Sequence, residues 1–262
     1  MAGVLEGFDE STFMHGGVTR AVFRAGSGPG VIVIHEVPGV TPLVAAFGRR
    51  VAEQGFTAVL PSLFGTPGKS PSAGYIARSM LHGCVSREFA TFALRSTSPV
   101  TEWLRALARQ VHAECSGPGV GAVGMCLTGG FALAMAVDDE LLAPVLSQPS
   151  LPLALTRSRA RDVGVSDADL ARVRERTAEG LCVLGLRFTG DRAVPAARFE
   201  RLREELGDAF IAVEIDSSRG NTLGIPRSAH SVLTEHLVDA PGHPTREALD
   251  QVLAFFRERL HP

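Results

Sequence analysis

The chain has 262 residues, 45% of them hydrophobic and 21% charged, with a formal net charge of -2. This length and composition fit one α/β domain over residues 1–262, and the near-balanced charge offers no field that would favour nucleic acid or an anionic membrane surface. The four cysteines, Cys84, Cys115, Cys126 and Cys182, share no C-x-x-C spacing, which argues for reduced thiols and against a zinc site or a disulfide framework.

The opening MAGVLEGFDE is acidic where a secretory signal would be positive, and no apolar run approaches the ~18 residues of a membrane span, so a cytoplasmic protein is expected. Short apolar runs bounded by Gly and Pro follow at VIVIH (31–35) and FTAVLP (56–61), with a helical pattern at 43–54. Residues 62–97 interrupt the rhythm with Gly, Pro and Ser, then Arg and Phe. The clearest helix is SPVTEWLRALARQVHAE: Ser98 can cap it, Pro99 suits its first position, and Val100, Trp103, Leu104, Leu107 and Val111 mark one face. VGAVGM (120–125), LAPVLS (142–147), LCVLGLRF (181–188) and FIAVEID (210–216) read as further strands, and 129–138, 196–206 and 245–260 as helices. A second atypical segment, 148–178, lies among them. The alternation implies an open, mostly parallel sheet with helices on both faces, and ligands on such sheets bind beyond the C-terminal strand ends. Both atypical segments are candidates to shape a pocket there.

Gly119, Gly121 and Gly124 spell G-x-G-x-x-G, but they fall within an expected strand and do not open a helix at its end, so they are not a dinucleotide fingerprint. The same region carries GMCLTGG, which fits small-x-nucleophile-x-small-small, the tight strand-to-helix turn that raises a nucleophile above the sheet. Thr128 stands where glycine or alanine is usual. An isolated cysteine is most often a small buried hydrophobe. In this setting Cys126 reads as a nucleophile, with the Leu127 amide beside any oxyanion formed there.

A nucleophile needs a base, and the base an orienter. In this architecture they follow in the order acid, then histidine. Asp191, in TGDRAVP just past a strand, is the candidate acid, although a turn former would look the same. His230, on the loop after FIAVEID, is the candidate histidine. His236 and His243 lie nearer the last helix, where surface capping is expected, and His261 is terminal. VIVIHEVPGV closes a strand with His35 and Glu36. The loop after that strand supplies the second oxyanion donor in hydrolases of this kind, which makes the Val37 amide a candidate and puts Glu36 near Cys126. The arginines at 157, 159, 161, 172, 174 and 176 alternate with acids and lack stacking aromatics, which suits a solvated helical face better than a nucleic-acid surface.

HEVPGV, GMCLTGG, GDRAVP and AHSVLT, in this order over nearly the whole chain, resemble the dienelactone hydrolases (carboxymethylenebutenolidases). The resemblance implies an α/β-hydrolase fold and a Cys126–Asp191–His230 triad. It also implies that Glu36 assists in deprotonating the thiol and that Leu127 and Val37 are oxyanion donors, with no metal or organic cofactor. Family members anchor a substrate carboxylate with arginines, for which Arg87 and Arg78 are the candidates. The expected activity is hydrolysis of a lactone or activated carboxylic ester through a covalent acyl-enzyme, with a small-molecule substrate, no nucleic-acid or membrane partner, and a monomeric or homodimeric state. Acyl transfer or thioester cleavage would use the same residues, and a non-catalytic binding protein of this fold is the remaining alternative.

Overall fold

The computed structural model describes residues 3–85, 98–151 and 157–261. Its sheet has eight strands in the order β1-β2-β4-β3-β5-β6-β7-β8: β1 (Asp9–His15), β2 (Val18–Gly26), β3 (Gly30–Ile34), β4 (Thr57–Pro61), β5 (Val120–Met125), β6 (Leu141–Ser147), β7 (Val183–Phe188) and β8 (Phe210–Ile215). From β4 to β8 the neighbours pair in parallel, whereas β1 and β2 pair antiparallel with each other and β2 antiparallel with β4. The six strands expected from apolar runs are present. The β1–β2 hairpin is not expected from the sequence, because β1 is mostly polar and exposed and the apolar residues of β2 are interrupted by Thr19, Arg20 and Arg24.

The helices are α1 (Pro42–Glu53), α2 (Ala73–Val85), α3 (Pro99–Glu114), α4 (Gly129–Met135), α5 (Arg157–Arg161), α6 (Asp167–Ala178), α7 (Ala196–Leu206) and α8 (Pro244–Leu260). Thr41 and Ser98 cap α1 and α3 by accepting the Val44 and Thr101 amides, each just before a proline in the first turn. The apolar runs are continuous because both sheet faces are covered. In β3, Ile32 and Ile34 join the core under α3 and α7, while Val31 and Val33 join the opposite core under α1 and α8. Trp103 is fully buried in the first core, where its indole N–H still finds the Val18 carbonyl at 3.0 Å. Burying a large side chain of this kind contributes about 2–3 kcal/mol, and the retained hydrogen bond removes the polar penalty.

The two atypical segments contain α2, α5 and α6. Leu170 and Val173 of α6 are core residues, so this part of 148–178 is integral to the fold. Its arginines divide: Arg161 and Arg172 make surface ion pairs with Glu204 and Asp139. Arg176 does not belong to a solvated face. It is buried and donates to the carbonyls of Ala136, Asp138, Asp139 and Leu141, fastening α6 to the turn before β6. Among the described residues no helix is long and apolar enough to cross a membrane.

Candidate active site

The turn from β5 into α4 is built from its glycines outward. Cys126 has φ 56, a left-handed backbone that costs a non-glycine residue about 1–2 kcal/mol. A Cβ on Gly124 would lie 2.3 Å from the Thr128 carbonyl oxygen, and one on Gly129 2.6 Å from Pro149 Cα. Only glycine permits both approaches. Thr128 departs from the usual small residue for a structural reason: its hydroxyl accepts the Met125 amide at 3.0 Å and faces the Ile34 and His35 carbonyls, each at 3.1 Å. That single side chain ties the cysteine turn to the end of β3.

His230 Nδ1 lies 2.6 Å from Asp191 Oδ2, which leaves the other ring nitrogen free to face the Cys126 sulfur. Burial opposes charge on this ring, but Asp191 and the Cys126 sulfur outweigh it and push the pKa up to about 11. Asp191 is also the turn former that its sequence suggests, since its Oδ1 accepts the Ala193 amide at 2.9 Å. Asp191, in the turn after β7, and His230, in the loop after β8, are thus paired, and the Cys126 sulfur after β5 acts on the same ring.

Glu36 is buried at 7% exposure, where a solvated strand-end charge would be open to water. Its carboxylate accepts from Ser231 Oγ at 2.6 Å, from Gln148 Nε2 at 3.2 Å and from the Thr234 hydroxyl. Among the described residues none of its hydrogen bonds reaches Cys126; it is joined to the residue after His230 instead. His35 beside it is a buried neutral ring. Nε2 accepts the Leu63 amide at 3.0 Å, which assigns the proton to Nδ1, 2.9 Å from the Glu36 carbonyl. Burial lowers the His35 pKa to about 4.

The candidate oxyanion amides occupy suitable elements. Leu127 lies in the short 3-10 turn that opens α4, where backbone N–H groups lack partners within the helix, and Val37 lies in the turn after β3. Arg78 is exposed and lines a cavity of about 500 Å³ with Lys69, Tyr75 and Ser79, next to the Gly39 backbone. Lys69 stacks on the Tyr75 ring at 4.6 Å, and neither cation has an acidic partner among the described residues. Cys126 and His230 are not in the walls of this cavity. Arg87 lies outside the described residues. The structure presents no group of three or more His, Cys, Asp or Glu fit to hold a metal among those residues.

Several participants are single polar residues whose partners are remote in sequence: Gln148 and Ser150 carry no local signal, and Ser231 and Thr234 fall within AHSVLT, which does not reveal their partner. Ser150 Oγ lies 3.3 Å from Cys126 Sγ, and Gln148 is fully buried with a left-handed φ of 36. His236 corrects an expectation: it is no surface cap, because Nδ1 accepts the His230 and Ser231 amides at 3.4 and 3.3 Å. His243 does cap, accepting the Thr245 amide at the start of α8.

Solved structures share the fold. A candidate dienelactone hydrolase from Klebsiella pneumoniae subsp. pneumoniae superposes with TM-score 0.65 at 18% identity, covering 96% of this chain and 98% of its own. A dienelactone hydrolase-like promiscuous phosphotriesterase from metagenomic libraries gives 0.62 at 18%, over 97% and 98%. A serine hydrolase without a lid from Xanthomonas campestris gives 0.58 at 15%, over 98% and 97%. No curated protein matches the sequence. The dienelactone hydrolase family model matches residues 19–259, nearly the whole chain, and the chain belongs to that family.

Proposed function

We propose that the protein is a thiol hydrolase that opens a lactone or cleaves an activated carboxylic ester through a covalent acyl-enzyme. The observation that carries this reading is the left-handed Cys126 at a strand-to-helix turn, together with an Asp191-bound His230 whose pKa the Cys126 sulfur helps to raise. The Cys126 proton passes to His230, and the thiolate adds to the carbonyl carbon while the carbonyl π electrons move onto oxygen. The Leu127 and Val37 amides then donate to that oxyanion, each contributing about 3–4 kcal/mol. Collapse expels the ester oxygen. An alkoxide takes the proton back from His230 as it leaves, whereas an enolate leaves unprotonated and takes that proton from His230 afterwards, so in either case the ring is neutral in the acyl-enzyme. Water, losing a proton to His230, next attacks the thioester, and collapse expels the thiolate and the carboxylic acid, which gives its proton to solvent as the carboxylate. Asp191 holds the ring and favours its charged form, in keeping with the raised His230 pKa.

On this reading His230 takes the proton and Glu36 braces the His230 loop through Ser231, which the three donors on its carboxylate support. Glu36 takes the thiol proton only by exchanging one of its three donors. The positive cavity of Lys69 and Arg78 suits a substrate carboxylate. The test is burst and steady-state hydrolysis of a small activated ester by wild type and Cys126→Ala. The expected result is a burst in the wild type and a loss of at least about 10⁴-fold in the variant; undiminished turnover by Cys126→Ala would overturn the reading.

A further inference from the structure

The turn after β6 holds one hydroxyl against the Cys126 sulfur, and it is fixed from several sides. Gln148 adopts its left-handed backbone while its buried amide bridges Glu36 Oε2 at 3.2 Å and the Val232 amide at 3.2 Å. The Pro149 carbonyl accepts from Nη1 of Arg198 at 2.7 Å. Arg198 is itself buried and also donates to the Ala193 and Asp162 carbonyls. On the other side of the same peptide, the Ser150 amide donates to the Cys126 carbonyl at 2.9 Å. With its backbone held on both sides, Ser150 brings Oγ to 3.3 Å from Cys126 Sγ. Among the described residues that sulfur is the hydroxyl's hydrogen-bond partner.

We propose that Ser150 is a further catalytic residue, donating its hydroxyl proton in a hydrogen bond to Cys126 and stabilising the thiolate that attacks the substrate. Toward a neutral thiol the hydroxyl can donate or accept, but toward a thiolate it can only donate, and a hydrogen bond to a charged acceptor is the stronger. The contact therefore favours the charged form differentially, as an activated nucleophile requires. Ser150 keeps its proton throughout; the Cys126 proton goes to His230. Acylation turns the sulfur into a weakly accepting thioester and ends the contact. The proposal rests on Cys126 being the nucleophile.

Alkylation of Cys126 by iodoacetamide across pH, followed on the Cys126 peptide by mass spectrometry, tests the contact without needing a substrate. In Ser150→Ala the midpoint is expected to rise by about one pH unit, so that labelling below it slows roughly tenfold, while the high-pH plateau stays at the wild-type rate. Ser150→Gly, which also lacks the hydroxyl, is expected to shift alike, and Ser150→Thr to restore the wild-type profile. Superimposable profiles for wild type and Ser150→Ala, or a downward shift, would overturn the role of Ser150 while leaving an inactive Cys126→Ala variant as support for the nucleophile. If Cys126→Ala keeps hydrolysing esters, the catalytic claim for Ser150 falls with the nucleophile, whatever the alkylation shows.

Discussion

The Cys126 turn is held mostly by its immediate neighbours Gly124, Thr128 and Gly129, whereas the Glu36 turn is held by Gln148, Ser231 and Thr234, each more than a hundred positions away. Both turns end adjacent strands, and Thr128 links them through the Ile34 and His35 carbonyls. The contrast separates two ways of fixing a side chain. A strained nucleophile turn needs close backbone approach, which small residues at fixed spacing provide. A buried carboxylate needs several donors, which can come from any part of the chain that the fold brings near.

The first way to sharpen this comparison is to disturb the acid while leaving the cysteine turn intact. Asp191→Asn keeps the shape but loses the charge that favours imidazolium and the acceptor that sets the ring's orientation. Its hydrolysis of an activated ester is expected to fall about 10²–10⁴-fold with little change in thermal stability. A variant with wild-type kcat would separate His230 from the chemistry.

Acid should loosen the Glu36 turn before it touches the glycines. The folded His35 ring has a pKa of about 4 against 6.5 for an ordinary histidine, so between those values the unfolded chain binds a proton that the folded one refuses. The neutral ring's contribution is full above pH 6.5 and is lost as pH falls to about 4, a change of roughly 3 kcal/mol. Urea unfolding at a series of pH values is expected to show that slope in the wild type and to lose that part of it in His35→Gln. Equal slopes in the two proteins would assign the acid sensitivity elsewhere.

The smallest expected effect concerns the bridge between the turns. Thr128→Val preserves volume but leaves the buried Met125 amide without its acceptor, costing about 1–3 kcal/mol in chemical denaturation, and Thr128→Ser is expected to recover most of it. If Thr128→Val were as stable as wild type, the link between the turns would be incidental.

The same contrast explains what could be read in the sequence. The parallel strands were legible as apolar runs, and Cys126 as a nucleophile candidate from its glycine spacing. Asp191 and His230 followed from chain order once the cysteine turn was recognised. The hairpin was missed although Gly16-Gly17, both with positive φ, sits between its strands as a tight turn does; β1 is exposed and charged residues break the apolar pattern of β2, so no apolar run drew attention to that signal. Gln148 and Ser150 had no such signal, because their roles depend on partners that only the folded sheet brings close. His236 was misread for the same reason: proximity to the last helix in sequence suggested a cap, but the fold turns its ring toward the amides at 230 and 231.

A covalent acyl-enzyme on Cys126 is tested most directly by quenching a reaction with an activated ester in acid within the burst and mapping the acyl group by peptide mass. The acyl mass is expected on the Cys126 peptide as a hydroxylamine-labile thioester, absent from Cys126→Ala. An acyl group on Ser150 or another residue, or full turnover with no adduct at any point of the burst, would contradict it.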